Sequence, residues 1–160
     1  MTTFSQRDLR WSRKKLGFSN LTIGTHGCTI TAFTQYLNRV FGYSLTPDQV
    51  NDKLKTLGNY STSNNKGAFQ GALLVWGNVY RVFPEVKFIK RARNYNNVEV
   101  AFQVYFKRNP VLVEVYAGKI GAPRHWVLFI GGGKMIDPWT GNISPTSTYP
   151  PIGYSIFARK

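Results

Sequence analysis

A chain of 160 residues with 42% hydrophobic and 15% aromatic side chains carries enough apolar surface for its own core, which excludes a largely disordered segment and leads to the expectation of one domain over residues 1–160. Its 21 Lys+Arg against 7 Asp+Glu leave a formal charge of +14, which narrows the partners of any charged face to polyanions (nucleic acid, anionic lipid, anionic cell-wall polymer) or leaves that face simply solvated. No apolar run approaches the roughly 20 residues of a membrane-crossing helix, no secretory signal pattern follows the basic N-terminus, and a single cysteine permits no internal disulfide, so a soluble chain without an export signal is expected.

Residues 1–25 are polar and basic and read as an irregular lead-in, with a short strand expected near residues 4–6. From Cys28, apolar Ile30, Phe33, Leu37, Val40 and Phe41 recur at helical spacing, and Gly42 stands where a helix stops. Cys28 is thus expected at a helix N-terminus. Thr46, Pro47 and Gln49 form the signature of a second helix start, with Gly58 as its end. A Ser/Asn/Gly-rich loop is expected over 59–67 and a more buried third helix, containing Trp76, over 68–80.

The second half reads differently. A strand is expected over 86–90 and an apolar strand over 111–116, while 98–107, stopped by Pro110, is ambiguous in pattern but long enough for a helix. Residues 125–130, the glycines Gly131, Gly132 and Gly133, and residues 134–137 read as a hairpin, and 153–158 as a last strand. Helices followed by a mainly antiparallel sheet give an α+β domain.

The lone thiol is read for its chemistry. A helix N-terminus favours a thiolate through unpaired N–H groups and the positive end of the helix dipole, although a cysteine there also serves as a small packing residue. If the hairpin turn centres on the three glycines, His125 and Asp137 are near neighbours across the ladder, where directly opposed residues share a face with Cβ atoms about 5 Å apart, close enough for a carboxylate to orient an imidazole. That pair is the base and orienter that a nucleophile requires. His26, two residues before Cys28, is read as lining the cleft together with Gly27, Trp126 and Trp139. A zinc set of His26, Cys28, His125 and Asp137 lacks the paired spacing of a zinc site, and neither metal nor cofactor is expected.

The segments QRDLRW (6–11), TIGTHGC (22–28), HWV (125–127) and IDPWTG (136–141), in this order, resemble the papain-like cysteine peptidases related to the double-glycine, bacteriocin-leader-processing peptidases. The resemblance implies a papain-like fold, a Cys28, His125, Asp137 triad, and a glutamine upstream of the cysteine that donates to the oxyanion. Gln6 best matches that glutamine, with Thr22 as reserve. The implied activity is hydrolysis of a peptide or amide bond through a thioester. Positive charge favours peptidoglycan as substrate, as in a phage lysin held in the host cytoplasm before release or carried on the virion. Alternatives are the processing of leader peptides or small proteins, and an idle basic domain. For the last, Tyr80, Tyr95, Tyr105 and Phe106 interleave with Arg81, Arg93 and Lys107 as a nucleic-acid surface would, without a recognised motif.

Overall fold

A computed structural model describes residues 2–61 and 69–160. The start of the chain is irregular, as expected, but residues 4–6 form no strand; Phe4, Trp11 and Leu16 are instead core residues, with Phe4 and Trp11 meeting edge-on at 5.6 Å. A short helix α1 (Ile23–His26) is capped by Thr22, whose hydroxyl accepts from the Thr25 N–H in a reciprocal capping box. Helix α2 (Cys28–Phe41) follows directly and ends at Gly42 in the left-handed region, φ 74°. Helix α3 (Pro47–Lys55) opens with the expected Thr46/Gln49 box and proline, but closes at Lys55, before Gly58.

The expected helix over 68–80 is not formed in its described part. Gly71 sits at φ 79°, and the Ser61 N–H to Leu73 carbonyl and Val75 N–H to Asn59 carbonyl bonds draw the segment into extended pairing with 59–61. Its second half forms a 3₁₀ turn, Trp76–Arg81. Residue 68 and residues 62–67 of the expected loop lie outside the described residues. The segment over 98–107, long enough for a helix, divides into α4 (Asn97–Ala101) and a π-helical turn (Phe102–Phe106).

Six strands follow: β1 (Val86–Ala92), β2 (Val111–Ala117), β3 (Ala122–Gly131), β4 (Lys134–Asp137), β5 (Asn142–Pro145) and β6 (Pro151–Arg159). They form one antiparallel sheet in the order β1-β6-β2-β3-β4-β5, which makes the chain an α+β fold. Side chains alternate between its faces. Leu112, Trp126, Leu128, Ile136 and Phe157 join Ile30, Phe33 and Leu37 of α2 in one buried cluster. Val111, Val113, Val115, Val127, Phe129 and Met135 form a second cluster with Val100 of α4.

The β3–β4 register departs from expectation. Leu128 pairs with Ile136 and Phe129 with Met135, with an irregularity before Gly131, so the turn is centred on Gly132, the middle of the three glycines, whereas direct opposition of His125 and Asp137 requires a turn centred one residue earlier. Continued by one pair, this ladder sets Asp137 opposite Val127 instead of His125. The offset is two residues, an even number, so both side chains stay on the same face.

Candidate active site

Cys28 is the first residue of α2, and the chain reaches it through a tight junction. Gly27 ends α1 and begins α2, donating its N–H to Ile23 at 2.8 Å and accepting from Thr31 at 2.9 Å. A Cβ on Gly27 would lie 2.4 Å from the Ile23 carbonyl oxygen, and one on Gly24 would lie 2.8 Å from that of Ser12. Both glycines are therefore required by approach of backbone to backbone within the fold, and Gly27 is itself buried. Gly27→Ala should destabilise the fold by about 1–3 kcal/mol, since the contact cannot relax without moving α1 against α2. Thermal unfolding measures this, and an unchanged midpoint would refute the packing argument.

The half-buried Cys28 thiol meets the ring of His125, the backbone of Trp126 and the Thr29 side chain. Burial pushes its pKa up, but the His125 hydrogen bond and charge, with the other two contacts, outweigh this and hold it below the ordinary thiol value. His125 and Asp137 are both buried, and His125 Nε2 lies 2.7 Å from Asp137 Oδ1. With Nε2 engaged, Nδ1 is the ring nitrogen left for Cys28. Burial disfavours the His125 charge, yet Asp137 and Cys28 together raise its pKa to about 9. Asp137 is lowered: against the burial penalty act His125, the Trp139 N–H at 2.8 Å from Oδ1 and the Tyr149 hydroxyl at 2.9 Å from Oδ2. All these shifts favour a thiolate–imidazolium pair with a carboxylate behind it.

Gln6 is buried and spans the two segments that carry these groups. Its backbone N–H donates to Pro138 at 2.7 Å and its side-chain amide to the Gly24 carbonyl at 3.1 Å. Its Oε1 is buried with no hydrogen-bond partner among the described residues. Neighbouring bonds tie the same stretch down: Thr3 to the Gly141 carbonyl and Ser5 to that of Trp139. Thr22, by contrast, has its hydroxyl committed to the α1 cap, 3.0 Å from Thr25 Oγ1.

His26 is exposed on α1, hydrogen-bonded to Thr25 at 2.9 Å and edge-on to Phe69. Among the described residues no three His, Cys, Asp or Glu side chains gather as metal ligands, and the contacts of His26 are with Thr25 and Phe69 instead of the His125–Asp137 pair. Trp126 belongs to the core, 5.0 Å from Trp76 ring to ring, while half-buried Trp139 lies under the Arg7 guanidinium.

Two groups near the site carry no local sequence signal. Tyr149 holds the second oxygen of Asp137 and packs edge-on against His125 at 5.9 Å. Buried Glu114 pairs with Arg91 and, at 3.4 Å, with Arg124, while Arg91 stacks on Trp126 at 4.6 Å. Arg91 reaches Glu114 across β6 because Gly153 has no side chain there; a Cβ would lie 2.8 Å from the Arg91 guanidinium. No protein-family model, no curated protein and no solved structure matches the chain.

Proposed function

We propose that the chain is a papain-like cysteine peptidase or amidase that cleaves its substrate through a thioester on Cys28. The observation that carries this reading is the buried His125–Asp137 pair, 2.7 Å apart, electrostatically coupled to the Cys28 thiol at the start of α2. A thiol placed only for packing has no need of a buried histidine and carboxylate behind it, and buried ionisable groups with opposed shifts mark functional sites more often than structural ones.

In the proposed reaction the Cys28 thiolate attacks the carbonyl carbon, and the oxygen takes up negative charge. The N–H groups at the α2 N-terminus and the Gln6 amide N–H that is not bonded to Gly24 are the donors assigned to that oxygen. The C–N bond then breaks as His125 gives its proton to the leaving amine. Water attacks the thioester, His125 takes a proton from it, and Cys28 departs as thiolate while the acid product is released. Asp137 and Tyr149 hold the ring in place throughout. For substrate we assign the stem peptides or cross-links of peptidoglycan, because a charge of +14 draws the chain to anionic wall polymers, in keeping with a lysin of phage type. Mass spectrometry of muropeptides and of a peptide panel after incubation identifies the scissile bond; cleavage of leader-type peptides alone would move the assignment to processing.

The pair predicts a pH profile. Cys28 titrates below its ordinary value and His125 at about 9, so the reactive ion pair exists between the two. kcat/KM should rise as pH climbs through the Cys28 value and fall above about 9, where the imidazolium loses the proton owed to the leaving amine. Iodoacetamide should label Cys28 at neutral pH faster than it labels free cysteine. Labelling that begins only in the ordinary thiol range would sink the reading and leave an idle basic domain.

A further inference from the structure

We infer that the helical turn over residues 97–106 is a docking surface for an anionic phospholipid bilayer. The segment is apolar on two sides. Val100 is buried and Val104 packs beneath it in the second core cluster, which accounts for one side. The other presents Val98, Phe102, Tyr105 and Phe106 to solvent, Val98 at 78% and Phe106 at 81% exposure. Val98, Phe102 and Phe106 recur every four residues, and the wider π turn keeps them in one row. The Phe102 and Phe106 rings lie 5.7 Å apart and nearly parallel. A solvated helix face carries polar side chains here, so this ridge is out of place in water.

The charge around the ridge selects its occupant. Within residues 97–108 the chain has two cations, Lys107 and Arg108, against one acid, Glu99, while on β1 Arg91 is spent on the buried Glu114. Glu99 is already neutralised by Lys90 at 2.8 Å and hydrogen-bonded by Tyr154. Lys107 and Arg108 are exposed directly after the ridge, and the Lys107 ammonium sits over the Phe102 ring. Apolar side chains flanked by lysine and arginine suit an interface where rings enter the acyl boundary and cations meet phosphate headgroups. Base stacking fits less well: Val98 has no ring, Phe102 and Phe106 face each other, and Tyr95 is half-buried against Tyr154. Docking here leaves the Cys28 relay untouched, so the inference stands apart from the reading of that site.

The test is sedimentation of the purified full chain with vesicles of phosphatidylcholine alone or mixed in equal parts with phosphatidylglycerol. Binding should appear with the mixed vesicles only, weaken as salt rises, and fall at least about tenfold in Phe102→Ser/Phe106→Ser. Lys107→Gln/Arg108→Gln should lose binding with the apolar ridge intact. Both pairs are exposed, and an unchanged far-UV spectrum and thermal midpoint verify the fold. Failure to bind mixed vesicles, or equal binding by the serine variant, overturns the inference. So does capture of a single-stranded oligonucleotide in place of vesicles, or self-association in solution, if the serine variant abolishes it.

Discussion

Cys28→Ser should lose on the order of 10⁴-fold or more in kcat/KM against any substrate the wild-type chain cleaves, with its thermal midpoint unchanged. The hydroxyl replaces the sulfur nearly isosterically at the start of α2, so helix and packing survive. What disappears is the anion: His125 can hold a thiolate at neutral pH but not an alkoxide. Cys28 is also among the groups that raise His125 to about 9, so in the serine variant the histidine should titrate lower, a shift that NMR of the ring protons reads without substrate. Cys28→Ala should match the loss, since alanine is well accepted in a helix. Substantial turnover in the alanine variant would remove the thioester from the mechanism.

Elements whose signals are local were legible in the sequence. The Thr46/Gln49 box, Pro47 and the stop at Gly42 are set within a few residues, and the structure places α2 and α3 accordingly. Where two structures compete for one apolar run, composition could not decide. Residues 69–80 hold enough apolar side chains for a helix, but pairing with 59–61 and a left-handed Gly71 prevail. Strand β5 was not anticipated, because Asn142–Pro145 is short and mostly exposed and is held by pairing with β4.

The candidate site divides in the same way. A glycine turn separated His125 from Asp137 by a countable distance, so their shared face was legible even though the pairing was set two residues out of register. The alternation of strand side chains made that error harmless, whereas an error of one residue would have put them on opposite faces. Tyr149, Arg91 and Glu114 gave no such count, since Tyr149 lies just before β6, Arg91 on β1 and Glu114 on β2, and their contacts are visible only once the sheet is assembled. Gln6 stood between: the segment resemblance pointed to it, but only the Pro138 and Gly24 bonds place it between the two halves of the site.

Asp137→Asn should keep kcat/KM within about tenfold of wild type at neutral pH, while Asp137→Ala should lose at least about 10². Oδ1 accepts both the His125 Nε2–H and the Trp139 N–H, and an asparagine carbonyl oxygen can do the same. The amide nitrogen would replace Oδ2 opposite Tyr149, whose hydroxyl oxygen can accept where it formerly donated. Alanine instead leaves three donors facing a buried gap and frees the ring to turn from Cys28. A serine triad behaves differently: its resting histidine is neutral, an amide there can select the wrong tautomer, and about 10⁴ in rate is lost. In a thiolate–imidazolium pair both ring nitrogens already carry protons, so no tautomer choice exists. The carboxylate charge still counts, because Asp137 helps hold His125 at about 9; in the asparagine variant the alkaline limb of kcat/KM should therefore begin at lower pH, and in the wild type it should not. Equal, complete loss in both folded variants would show that the negative charge is itself essential. Wild-type activity in both would take Asp137 out of the site.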